Sequence, residues 1–126
     1  MKKIALTVAT LYTLALAYFS LTPVPKEAST LVNISDIVQH FAAYFILSLL
    51  WYLYWRKIAY SSILALTVGL LTELAQKTVP YRVFSLTDLA ANTAGVTVFA
   101  AGVYLTSILL KRSQLNLSKH TILRED

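Results

Sequence analysis

Hydrophobic positions along the chain gather into four long runs, and the polar stretches between them are brief. The first run extends from about Ile4 to Thr22, behind Lys2-Lys3, and is stopped by Pro23 and Pro25. The others cover about 36–55, 58–78 and 87–110. Each comes near the ~20 residues that an α-helix needs to cross ~30 Å of hydrocarbon. Only Arg56-Lys57 separates the second run from the third, so these two are expected to form a tight antiparallel hairpin. The 23–35 loop is short, polar and Pro-bearing, and the 79–86 loop is shorter still. A cleaved signal peptide competes for the first run, because a basic start before an apolar stretch fits both. The run is longer than a usual signal core, however, and no small-x-small site follows it directly, which favours a retained helix. The expected fold is therefore all-α: a four-transmembrane-helix bundle over residues 1–110, with a polar, loosely ordered tail over 111–126.

Composition agrees. Hydrophobic residues make up 57% of the 126 and charged residues 13%, against roughly 25% charged in soluble domains. With no Cys there is neither a disulfide framework nor a thiolate metal site. The net charge of +5 carries topology rather than nucleic-acid binding, because the basic residues flank the apolar runs instead of forming a patch. With both termini inside, the cytoplasmic side holds Lys2, Lys3, Arg56, Lys57, Lys111, Arg112, Lys119 and Arg124, and the outer side only Lys26, Lys77 and Arg82. That bias predicts an N-in/C-in orientation. Trp51, Tyr52, Tyr54, Trp55 and Tyr60 around Arg56-Lys57 read as an interfacial aromatic belt rather than a cofactor box.

The remaining polar residues collect at the opposite ends of the helices. Asp36 and His40 are four residues apart and share a face of the second helix, which Tyr44 continues one turn deeper. Glu73 and Gln76 share a face near the end of the third helix, Arg82 sits in the loop, and Asp88, Asn92 and Gly95 share a face of the fourth. His40 lies about 6 Å below the start of its helix at 1.5 Å per residue, and Glu73 and Asn92 fall at similar depth. A charge at a helix centre costs about 2.5–3.5 kcal/mol on insertion scales, and ionisable residues kept in spans usually face a bundle interior.

Each of these residues also has a structural reading. Ser85-x-x-Asp88 fits a capping box, and Ser35-Asp36 suits a helix start where a carboxylate meets the positive dipole end. His40 can serve as a packing hydrogen bonder, and Asn92, Thr93 and Gly95 as interhelical contacts. Glu73 fits such a role least, since it lies toward the wrong helix end for the dipole. It is expected to pair with Arg82, His40 or Lys77. Gly95 and Gly102 offer a face for dimerisation.

The strings DIVQHFAAYFIL and GLLTELAQKTVPYRVFSLTDLAANTAG resemble the VanZ-like family. Its pattern of Asp-x-x-x-His-Phe-x-x-Tyr, Gly-x-x-x-Glu-x-x-Gln, Pro-x-Arg and Asp-x-x-x-Asn-x-x-Gly falls here on Asp36, His40, Phe41 and Tyr44; Gly69, Glu73 and Gln76; Pro80 and Arg82; and Asp88, Asn92 and Gly95. Ile37 stands where the family often has Lys. The resemblance implies a multi-pass protein of the bacterial cytoplasmic membrane and cell envelope, in a family named for reduced susceptibility to the glycopeptide teicoplanin. It implies no known reaction and no cofactor.

Three readings stay open. In the first, Asp36, His40, Tyr44, Glu73, Gln76, Arg82, Asp88 and Asn92 bind a lipid-linked or other envelope polar ligand at the outer face, with Arg82 holding a phosphate or carboxylate. In the second, Asp36, His40, Glu73 and Asp88 form an acid–base set or a His-plus-carboxylate metal site of an enzyme. In the third, the polar set only locks a small bundle that assists partner proteins. The expected partners are the lipid bilayer, a lipid-linked envelope precursor and a second copy of the chain, and nucleic acid is not among them.

Overall fold

The computed structural model describes residues 1–22, 36–80, 82 and 84–122, with side chains as far as Leu115. The loop bearing Pro23, Pro25, Lys26, Glu27 and Ser35 lies outside the described residues, as do residues 123–126 with Arg124. Four helices follow one another: α1 (Lys2–Leu21), α2 (Asp36–Trp55), α3 (Ile58–Gln76) and α4 (Leu86–Ile122). All four are long and apolar enough to cross a membrane, and no strand occurs among the described residues. The chain is a four-transmembrane-helix bundle.

The helix boundaries match expectation within two residues, except at the end of α4. The segment expected to be a loose tail continues the helix through Lys111 and Arg112 to Ile122. Nothing in KRSQLNLSKHTI breaks a helix: it lacks Gly and Pro, and Lys, Arg, Gln and Leu are strong helix formers. At 1.5 Å per residue the 37-residue α4 is about 55 Å long, well beyond the ~30 Å of hydrocarbon.

Among the described residues α2 and α3 each pack on the other three helices, whereas α1 and α4 do not meet. Tyr44, Leu47, Ala65 and Val96 form the centre, with Tyr12, Leu16, Ala43, Trp51 and Val68 against them. Large apolar side chains such as Leu14, Phe19, Ile63, Leu71 and Leu109 point outward. Lipid solvates those side chains as well as a core would, so the interior is left to small and polar residues that allow close helix approach. Buried Ala9, Ser48, Ser61, Ala65, Thr72 and Ala91 are of this kind. Two side-chain bonds fasten α1 to α2: Tyr12 donates to the Ala43 carbonyl at 3.1 Å and Trp51 Nε1 to Thr13 Oγ1 at 3.0 Å.

Gly95 marks the tightest approach. A Cβ there would run into the carbonyl oxygen of Phe41 and lie 3.1 Å from the Phe45 nitrogen, both backbone atoms of α2. Gly102 has nothing within 4 Å of such an atom. Gly95 is thus enclosed between α2 and α4 and does not share an open face with Gly102.

The α2–α3 hairpin turns on Arg56, whose φ of 55° is left-handed and whose N–H donates to the Tyr52 carbonyl at 2.7 Å. Helices commonly end this way, but usually on Gly. The rings of Trp51, Tyr54, Trp55 and Tyr60 contact one another around the turn, and Lys57 Nζ lies 4.9 Å from the Tyr60 ring centre. Because a left-handed non-Gly residue costs roughly 1–2 kcal/mol, Arg56→Gly should raise stability by about 1 kcal/mol, with Arg56→Ala giving no such gain. Equilibrium unfolding in mixed micelles reads the difference; equal stability of the two variants would refute it.

Candidate functional site at one end of the bundle

Antiparallel packing brings the C-terminal ends of α1 and α3 and the N-terminal ends of α2 and α4 to one end of the molecule. His40 lies one turn into α2, Glu73 one turn before the end of α3, and Asp88 and Asn92 in the first two turns of α4. Their side chains meet. His40 Nδ1 is 3.0 Å from Asn92 Oδ1, and His40 Nε2 is 3.6 Å from Asp88 Oδ2. One ligand-type atom from each of His40, Glu73 and Asp88 lies within 4.8 Å of the other two. Glu73 and Asn92 are each 1% exposed, while the side chains of His40 and Asp88 are 20% and 23% exposed. The cluster is therefore buried on the α3 side and open on the other.

The start of α4 explains how Asp88 comes to face His40. The expected cap is present, with Ser85 Oγ accepting from the Asp88 N–H at 3.2 Å. In a full capping box the acidic residue reaches back to the N–H of the capping residue. Here that N–H donates instead to Glu73 Oε2 at 3.2 Å. Glu73 takes over half of the box from a neighbouring helix, and the Asp88 carboxylate is left to turn toward α2. Asp88 thus lies in the capped first turn through its backbone N–H, while its carboxylate faces His40 in place of closing the box.

Other members of the predicted set do different work. Gln76, 3% exposed, donates from Nε2 to the Ser20 carbonyl at 2.9 Å. Arg82 Nη2 is 3.4 Å from the Phe19 carbonyl and 3.3 Å from the Thr22 carbonyl. Together they satisfy carbonyls that the last turn of α1 leaves without intrahelical partners, and the guanidinium meets the negative end of that helix dipole. The expected Glu73–Arg82 pair is not formed among the described residues, and Lys77 lies over the Phe84 ring at 4.8 Å. Tyr44 is buried one turn deeper, with its hydroxyl 2.8 Å from Thr72 Oγ1, and its ring lines the space beside Gly69. Asp36 stands exposed at the start of α2, a turn above His40 and outside the close group.

The eight predicted residues thus divide into a core of His40, Glu73, Asp88 and Asn92, a clamp of Gln76 and Arg82 on α1, a deeper support in Tyr44, and a rim residue in Asp36. Two participants were not foreseen: the Ser85 backbone N–H and Thr72. The capping pattern signalled Ser85 as an acceptor for α4, but its use by Glu73 depends on how α3 sits beside the loop. A histidine, two carboxylates and a carboxamide at this spacing can hold a cation, transfer a proton, or hydrogen-bond a polar group entering from the open side.

Comparison with known proteins bears on the family alone. Neither a curated protein nor a solved structure matches the chain. A family model described as VanZ/LLP1 matches residues 7–110, a span that takes in most of α1, all of α2 and α3, the first 25 residues of α4 and every residue of the polar cluster. The chain belongs to the VanZ/LLP1 family.

Proposed function

We propose that the polar end of the bundle binds the polar head group of a lipid-linked or other envelope molecule at the outer face of a bacterial cytoplasmic membrane. The observation that carries this reading is the convergence of His40, Glu73, Asp88 and Asn92 from three helices, buried behind but open in front. A bundle needing only stability would gain from apolar residues at these positions, since buried charges often cost more than the packing that replaces them. The excess of Lys and Arg near the other helix ends supports an outward-facing cluster. The VanZ/LLP1 family name supports a link to glycopeptide susceptibility, and the reading adds that an envelope precursor or lipid held at this site would make that link.

Native mass spectrometry of the purified protein beside Glu73→Gln and Asp88→Asn tests this. The expected outcome is an envelope lipid or lipid-linked molecule retained by the wild type and lost from both variants, with helix content unchanged. The same bound species on all three proteins would sink the proposal. Loss of stability in both variants, with nothing specific on the wild type, would make the cluster a locking network and direct attention to partner proteins.

A further inference from the structure

We propose that His40, Glu73 and Asp88 bind a divalent transition-metal cation of the Mn²⁺ or Zn²⁺ type, and that this cation supplies the grip on an anionic head group. The second part rests on the head-group reading above; the first does not.

Geometry comes first. Three atoms mutually within 4.8 Å fit a circle of radius 4.8/√3, so a common centre lies within about 2.8 Å of each, against metal–ligand distances of about 2.0–2.2 Å. Closing that gap takes under an ångström. His40 and Asp88, both partly exposed, have room to supply it, while Glu73 is held by the Ser85 N–H. A carboxylate offers about four lone-pair sites, so this single bond leaves Glu73 acceptor capacity for a cation.

Hydrogen bonding gives a second, independent argument. The Asn92 amide oxygen facing His40 Nδ1 at 3.0 Å can only accept, so Nδ1 carries the proton and donates. Nε2 then presents a lone pair toward Asp88 Oδ2 at 3.6 Å, and two acceptors face each other across a gap. A proton on Nε2 would relieve that contact, but its single charge would then face two carboxylates within 4.8 Å, one of them on the 1%-exposed Glu73. A divalent cation relieves both. Metal-bound imidazoles almost always donate their other N–H to an oxygen acceptor, the part Asn92 takes here.

Charge points the same way. Two carboxylates repel a phosphate or carboxylate ligand. Among the described residues, Arg82 Nη2 faces α1 carbonyls and Lys77 lies over Phe84, and neither forms an ion pair with the cluster. An anion therefore needs a cation bound in the cluster. One imidazole nitrogen with two carboxylate oxygens suits Zn²⁺ or Mn²⁺, whereas Ca²⁺ takes all-oxygen sets and Mg²⁺ keeps most of its water. Three protein ligands leave coordination positions open, as in sites that take a further ligand rather than closed structural ones.

The test is titration of detergent-solubilised, chelator-stripped protein with Mn²⁺ and with Zn²⁺, followed by calorimetry and, for Mn²⁺, by electron paramagnetic resonance. One equivalent should bind the wild type and Asp36→Asn alike. Glu73→Gln and Asp88→Asn should each weaken it at least a hundredfold, and Asn92→Ala about 10–100-fold, the usual effect of losing an outer partner. Thermal unfolding in chelator confirms that each variant folds. If Glu73→Gln does not fold, the partly exposed Asp88 carries the comparison. Equal affinity in wild type and Asp88→Asn, or no binding to the wild type, overturns the cation site. Lipid retained in chelator separates the two parts: it overturns the cation's role in anion binding and leaves the head-group reading standing. Metal bound by a protein that retains no lipid overturns the head-group reading and leaves the cation site standing.

Discussion

Gly95→Ala is expected to destabilise the bundle by about 1–3 kcal/mol, the usual cost of forcing atoms into a packed interior, whereas Gly102→Ala should be neutral or stabilising. Both substitutions replace Gly by a better helix former, a gain near 1 kcal/mol on its own. Gly102 can show that gain because nothing lies within 4 Å of its added methyl. At Gly95 the methyl meets the Phe41 carbonyl and the Phe45 nitrogen, and backbone cannot rotate aside as a side chain can. Relief requires α2 and α4 to separate. His40 precedes Phe41 on α2 and Asn92 lies one turn before Gly95 on α4, so the His40–Asn92 contact at 3.0 Å should lengthen as well. Gly95→Ala is thus expected to lower both stability and ligand retention, and Gly95→Val to lower them further. Unfolding in mixed micelles with native mass spectrometry on the same samples measures both. Matching stabilities for the Gly95 and Gly102 variants would show that the α2–α4 approach is looser than described.

Arg82→Ala should loosen α1 while leaving the His40–Glu73–Asp88 cluster able to bind. Hydrogen bonds to charged groups contribute about 1.5–3 kcal/mol in general, and interhelical bonds in membranes average nearer 0.6. The two carbonyl contacts of Arg82, at 3.3 and 3.4 Å, are long, so a total near 1–2 kcal/mol is expected. Arg82→Lys should recover only part of it, because a single ammonium does not reproduce the guanidinium fork. Hydrogen exchange in the last turn of α1 is the direct readout, with faster exchange predicted for Arg82→Ala and a further increase on adding Gln76→Ala. Lost lipid or metal binding with unchanged exchange would mean that Arg82 contacts the ligand directly, the role its residue type suggested.

The difference between those two roles shows where sequence reading stops. Arg82 in a short loop beside membrane helices looks like an anion holder, because the guanidinium is well shaped for phosphate and carboxylate. Its neighbours here are carbonyls at the end of α1, some sixty residues earlier in the chain, and no local pattern announces them. Glu73 shows the same gap: an acidic residue inside an apolar run signals a partner, but that the partner is the Ser85 N–H follows only once α3 and the loop are placed. The helical course of residues 111–122 departs from the expected loose tail for another reason: polarity does not imply looseness, and strong helix formers without Gly or Pro propagate a helix already nucleated in the membrane.

By itself the sequence determined the four spans, the tight turn at Arg56-Lys57 and the end of the bundle at which polar residues collect. Those properties depend on hydrophobic length and on helical spacing, and both can be read along one dimension. It also supplied the motif by which the family is identified. Tertiary structure alone decided which polar residues touch: that His40, Glu73, Asp88 and Asn92 form one cluster, that Gln76 and Arg82 close α1 instead, and that Gly95 is an interior contact. Hydrogen bonds and close packing act over a few ångströms, and residues on different helices come within that range only after the helices have packed.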